Sequence, residues 1–256
     1  MIALYNTILY EPLFNLLVWF YNVLPGGDVG FAIIVLTIIV KLILFPFSLQ
    51  SIKSQRVLQT LQPKMDELKE KYKDRKEEMT KAMMELYKQE KVNPFSSCLP
   101  LLVQFPFLIA VYQVFRRGLT SDNFDILYPF VSNPGHINSM FLGIIDLANP
   151  SIYLALLAGL AQFWQTKMMM AKRPPAELRK KKGAKDEDMA AMMNKQMVYF
   201  MPLFTVFIGA TLPAGLTLYW LITTFLMALQ QLYFFKKDKQ DSSSDGNKQI
   251  IEGESV

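Results

Sequence analysis

Lys41 carries most of the chemistry that this sequence offers. It lies inside residues 30–49, a stretch otherwise made of Ile, Val, Leu, Phe and small or weakly polar residues. A cation near the middle of a bilayer costs roughly 2.5–3.5 kcal/mol on insertion scales, so it should face protein or water rather than lipid. At the helical repeat Gly30, Thr37, Lys41 and Ser48 fall within about 40° of one another, giving the stretch one small, polar face. Two settings suit such a lysine: a hydrated interior cavity, or a side chain that snorkels to the nearer membrane surface. Other apolar stretches carry matching polar groups. These are Ser97 and Gln104, then Gln162, Gln165 and Thr166 beside Ala155, Ala158 and Gly159, then Tyr219, Trp220, Thr223 and Thr224. Singly, each would serve as interhelical glue worth about 0.6 kcal/mol per hydrogen bond. Together with Lys41 they are expected to line a wet cavity. No Asp or Glu occurs in any of these stretches, so the lysine has no built-in counter-ion and is open to a visiting acidic group.

Enzymatic chemistry is poorly served. One His and one Cys cannot supply a zinc site of ordinary ligand count. A Ser–His pair would have to use His136, which has no G-x-S-x-G elbow to work with. Pro25-Gly26-Gly27 is a turn and not a phosphate cradle, and the apolar stretches hold no aspartate pair. The chain is therefore expected to be no enzyme and to need no cofactor or metal.

The elements that must position these residues are apolar blocks too long for a soluble core. Of 256 residues 52% are hydrophobic, and a run of about 18 or more with few charges can cross the hydrocarbon layer. Five spans are expected, at residues 30–49, 93–115, 152–170, 197–212 and 215–235, making an all-α polytopic membrane protein. Residues 1–29 read differently. Glu11, Asn15 and Asn22 share a stripe about 40° wide on an otherwise apolar helix, which suits an interfacial helix better than a sixth span. Pro12 fits its first turn, and Pro25-Gly26-Gly27 ends it.

Residues 50–91 are polar, with 11 Lys/Arg against 8 Asp/Glu. Leu58, Leu61, Met65, Leu68 and Tyr72 step by 3 and 4, a heptad seam, and Met79, Met83 and Leu86 repeat it after a turn near Lys73-Asp74-Arg75. An antiparallel helical hairpin standing off the membrane is expected. Residues 171–196 form a second basic loop, whose methionines (Met189, Met192, Met193, with Met168 to Met170 before it) offer soft contact surface or ordinary helix packing. Residues 236–256 form a polar tail.

Lys and Arg number zero in residues 1–29 and two in the 116–150 loop, against eleven and eight in the two polar loops. The positive-inside rule then puts the N-terminus outside, with both basic loops and the tail in the cytoplasm. The net charge of +5 resides in these loops, so no specific nucleic acid is expected as a partner. A lone Cys98 leaves no internal disulfide. Without Lys or Arg in residues 1–29, no cleavable signal with a basic n-region is evident.

Several motifs occur in an order that resembles the YidC/Oxa/Alb membrane protein insertases. They are Gly30-Phe31-Ala32-Ile33-Ile34 leading to the charged residue 41, Leu61-Gln62-Pro63, Val92-Asn93-Pro94, the run from Cys98-Leu99-Pro100 to Gln104-Phe105-Pro106, and Pro213-Ala214-Gly215-Leu216-Thr217-Leu218-Tyr219-Trp220. The resemblance covers roughly residues 10–235 and is nearer the short form than the Gram-negative form with its large periplasmic domain. It implies a bacterial plasma-membrane protein whose five core helices enclose a hydrophilic groove, open to cytoplasm and lipid and closed toward the outside. Lys41, Gln104, Gln165 and Trp220, with Thr37 and Gln162, would be the substrate-groove positions. Nascent single-span and small multi-span membrane proteins would be the clients, with ribosome and Sec translocon as associates. Family members generally carry arginine where this chain has Lys41; lysine keeps the charge but loses the planar fork. The tail, with four lysines and five acidic residues, lacks the strongly basic extension of some relatives. From the residues alone, an anion-selective transporter or channel, or a folding chaperone without insertion activity, remains open.

Overall fold

The computed structural model describes residues 2–72, 75–93, 99–118, 124–169 and 198–253. It is helical almost throughout, with one small β-hairpin. The N-terminal segment runs as α1 (Ile2–Tyr5), a π-helical turn (Asn6–Tyr10) and α2 (Glu11–Val23). The wide turn directly precedes Pro12, which has no N–H to offer Ile8 and whose ring crowds that carbonyl, so the backbone opens by one residue there. Tyr10, Leu13, Phe14, Leu17 and Val18 are buried at helical spacing and form the core face of this segment. Part of its polar stripe meets another part of the chain. Asn15 is buried, donating to the Ile126 carbonyl at 3.0 Å and accepting from the Tyr128 N–H at 2.6 Å. Asn22 donates to the Ser132 carbonyl at 2.6 Å.

Gly26 and Gly27, at φ 90° and 57°, take the left-handed turn that L side chains resist and lead into α3 (Val29–Ile43), capped by Asp28. The stretch expected as the first span, 30–49, is broken at Leu44. There α4 (Phe45–Lys71) departs at 66° to α3. Pro46, in the first turn of α4, explains the break: it cannot continue the hydrogen-bond ladder of α3, and its ring would strike the Leu42 carbonyl.

The hairpin is present. α4 packs against α5 (Lys76–Gln89), Leu61 and Met65 of the heptad seam are buried, and Tyr87 Oη reaches Met65 Sδ at 3.4 Å. α6 (Leu99–Gly118) returns through the bundle, and α7 (Ile152–Met169), α8 (Val198–Gly209) and α9 (Ala214–Gly253) complete it. The tail expected from residue 236 continues α9 as helix. The second basic loop at 171–196 with Met189, Met192 and Met193, as well as Pro94 and Cys98, lies outside the described residues.

The 116–150 loop contains β1 (Met140–Phe141) paired antiparallel with β2 (Ile145–Asp146). It closes over one end of the bundle, called here the loop end; the α4–α5 hairpin marks the other. The core between them joins Phe14, Leu17, Ile33, Leu36, Val111, Phe115, Leu147 and Tyr219 from α2, α3, α6, the loop and α9.

Outside this core the molecule turns its apolar side chains outward. Leu42, Leu160, Leu203 and Phe207 are each at least 64% exposed. Apolar surface of this extent suits hydrocarbon, not water. Among single described helices only Ala214–Phe234 is apolar throughout a membrane-crossing length, and Val29–Ile43 with Phe45–Leu58 reaches that length when the two bent pieces are joined. α7 falls short in apolarity because it carries Gln162, Gln165, Thr166 and Lys167.

Candidate intramembrane polar site

The inward face of α3 holds the residues that sequence spacing singled out. Val29, Gly30, Ile33, Leu36, Thr37, Val40 and Lys41 are all buried, a stripe at i, i+3, i+4, i+7 spacing. Thr37 bonds its own helix, Oγ1 donating to the Ile33 carbonyl at 2.6 Å, so its hydroxyl proton is already committed. Lys41 is only 7% exposed and makes no hydrogen bond or ion pair among the described residues. It sits in the last turn of α3, where the unpaired carbonyl end of the helix favours a cation. The break at Leu44 therefore does two things. It ends α3 just beyond the lysine, and it sends α4 away with Ser48, Ser51 and Ile52 buried on its inner side. A polar stripe thus passes from Thr37 through Lys41 and around the bend to Ser48 and Ser51.

The other expected residues divide. Gln104 of α6 donates to Tyr219 Oη of α9, tying the two helices together. Gln165 of α7 is buried and directs Nε2 at Met227 Sδ of α9, 3.0 Å away. Gln162 stays within α7, paired with Thr166 at 3.4 Å. Trp220 is half-buried. α9 is the common partner, packing against α3, α6 and α7. It also receives α8, through Thr217 Oγ1 donating to the Gly209 carbonyl at 3.0 Å.

Spacing alone missed Ser51 and Gln231. Ser51 is one turn beyond Ser48 and shares its face. Gln231 is fully buried, and neither amide atom has a partner among the described residues. It lies seven residues after Thr224 and fourteen after Thr217, both buried, so a heptad count along α9 would have found it. Among the described residues no three His, Cys, Asp or Glu side chains gather as a metal site requires.

Comparison with known proteins gives this arrangement a family. The profile of the 60Kd inner membrane protein family matches residues 19–241. A Pelobacter propionicus protein called membrane protein insertase YidC is 37% identical over 232 residues, covering 90% of this chain and 39% of that protein. One of the same name from Nitrosococcus oceani is 35% identical, over 92% of this chain and 37% of its own length. A Fusobacterium nucleatum protein of that name is 33% identical over 82% of this chain and 88% of itself. The chain belongs to the 60Kd inner membrane protein family and is a membrane protein. It spans about two-fifths of the Pelobacter and Nitrosococcus relatives, and most of the Fusobacterium one.

Proposed function

We propose that this protein is a membrane protein insertase of the bacterial plasma membrane. It takes the polar end of a nascent membrane protein into a hydrated, positively charged groove and releases the client's apolar helix to lipid. One observation supports this above the others: Lys41 is buried on the inner face of α3 with no acidic partner among the described residues. In this reading α3 with the start of α4, α6, α7, α8 and α9 are the five spans, and α1–α2 lies at the outer surface. The N-terminus is outside, whereas the α4–α5 hairpin, residues 171–196 and the C-terminal end of α9 are cytoplasmic. The groove is lined by Lys41, Thr37, Gln104, Gln162, Gln165 and Trp220.

The energetics fit. Two opposite charges about 4 Å apart at an effective dielectric near 20 attract by about 4 kcal/mol before desolvation is subtracted. That is the same order as the roughly 2.5–3.5 kcal/mol a charged residue costs at the bilayer centre on insertion scales. A cation held partway through the bilayer can thus offset much of the barrier an acidic client segment meets. Burial of the client's apolar helix then drives completion, aided by the membrane potential on acidic segments.

In a strain depleted of its own insertase, a client with an acidic translocated end should insert several-fold less with Lys41→Ala. Lys41→Arg should insert it as well as the unaltered protein does. Equal insertion by all three proteins would remove charge attraction from the mechanism, and Lys41-dependent anion conductance in reconstituted vesicles would replace it with a channel.

A further inference from the structure

The tip of the β1–β2 hairpin combines strain with apolar exposure. Leu142 and Gly143 have φ of 54° and 68°, and the Ile144 N–H bonds back to the Phe141 carbonyl at 3.0 Å. These are the features of a tight type I′ turn, for which Asn-Gly or Asp-Gly is the usual pair because the first residue must also accept positive φ. Leucine resists that backbone. It is also 58% exposed, with Ile144 beside it at 79%. In water this sequence is a poor choice for both backbone and side chains.

The tip is also firmly placed. Asp28, the cap of α3, accepts the Leu142 N–H with one carboxylate oxygen and the Gly30 N–H with the other, each at 2.7 Å. Phe141 packs edge-on against Phe31 with ring centres 5.6 Å apart, and its ring lies over Gly30, where a β-carbon would collide with it. The Asn138 N–H bonds to Tyr21 Oη at 3.0 Å. On the far side, the Leu147 and Asn149 carbonyls accept from Gly215 and Ala214 at the start of α9. The tip is thereby held level with the first turn of α3, next to outward-facing Phe31. The first turn of α7 exposes Ile152 and Tyr153 at the same end. An apolar rim with aromatic members at the end of a helical bundle is what a membrane–water boundary receives.

We propose that the β1–β2 tip is a lipid anchor. Leu142 and Ile144 enter the headgroup–acyl boundary of the leaflet at the loop end and fasten the loop over the bundle to the bilayer. Depths of this kind are typical of interfacial apolar groups. The proposal rests on the reading that α3 and α9 span the bilayer with the loop end at the outer surface.

The test uses purified full-length protein in lipid vesicles on a Cys98→Ser background, with an environment-sensitive fluorophore on Ile144→Cys or on His136→Cys. Both positions are exposed in the fold. At 144 the emission should shift to the blue, aqueous iodide should quench several-fold less than at 136, and lipids spin-labelled high on the acyl chain should quench more than lipids labelled near its end. Equal iodide quenching at the two positions would overturn the anchor and leave the tip to a protein partner. Iodide protection at both would overturn it too, by sinking the whole loop. A membrane-impermeant maleimide applied to whole cells separately reports the side on which 136 lies. Labelling only after permeabilisation would refute the proposed orientation, while the contrast between 144 and 136 still reports the tip.

Discussion

The two ends of the bundle are held by different forces. At the loop end, buried or half-buried side chains reach into backbone: Asn15 to residues 126 and 128, Asp28 to residues 30 and 142, Asp146 to residue 148, Tyr21 to residue 138. Each bond satisfies a backbone group that the irregular chain would otherwise strand. At the hairpin end, α5 buries no residue fully, and the recorded charge pairs, Lys64–Glu90, Lys69–Asp66 and Arg75–Glu78, are largely solvent-exposed. Such pairs contribute little. One end is pinned by side-chain bonds to backbone, several of them partly buried; the other leans on contacts that water competes with. The break at Pro46 separates the two regimes just past Lys41.

The contrast breaks most sharply at Asn15. Asn15→Leu strands the Ile126 carbonyl and the Tyr128 N–H, each at a cost of about 1–3 kcal/mol. The expected result is a lower melting temperature in detergent and loss of amide-exchange protection across residues 124–149. Unchanged protection would mean that the loop end is not pinned this way.

A smaller effect is expected from Asp146. Its carboxylate is held below the ordinary value of 3.8, chiefly by the Ser139 hydroxyl and further by the Ala148 N–H and the Asn149 amide, with partial burial pulling the other way. A depressed folded-state pKa stabilises the folded form above the unfolded value, and that stabilisation is lost as pH falls through the folded value. Exchange protection of residues 139–149 should accordingly be flat with pH near neutrality and drop only in strong acid. Asp146→Asn should remove the acid step; a step near neutral pH would assign the titration to another group.

The smallest effect belongs to the hairpin. A double-mutant cycle on Lys64 and Glu90, read by thermal melting, should give a coupling of about 0.2–1 kcal/mol that shrinks with added salt. A coupling well above that range would make the hairpin end as firm as the loop end and remove the comparison.

Much of this was legible in the chain. The apolar blocks, the heptad seam of the hairpin and the polar stripe with Lys41 follow from spacing along one helix, and the family from the resemblance its motifs carry. Pro46 also announced a break, although the expected span at 30–49 ran straight through it. The stripe of Asn15 and Asn22 was visible as well, but its partner was not: a segment over a hundred residues away buries Asn15 and accepts from Asn22 at the surface. Gln104 with Tyr219 and Gln165 with Met227 are likewise pairs between helices, and no periodicity within either helix names the other.

The sequence by itself determined which helix faces are polar and that the exterior belongs in lipid, because these depend on residues three and four apart. Only the tertiary structure decided that Lys41 is buried without an acidic partner among the described residues, that α9 is the element the other helices share, and that a β-hairpin is clamped to the start of α3. Those outcomes depend on which face meets which across the bundle, and that is fixed by packing the whole chain at once rather than by any local repeat.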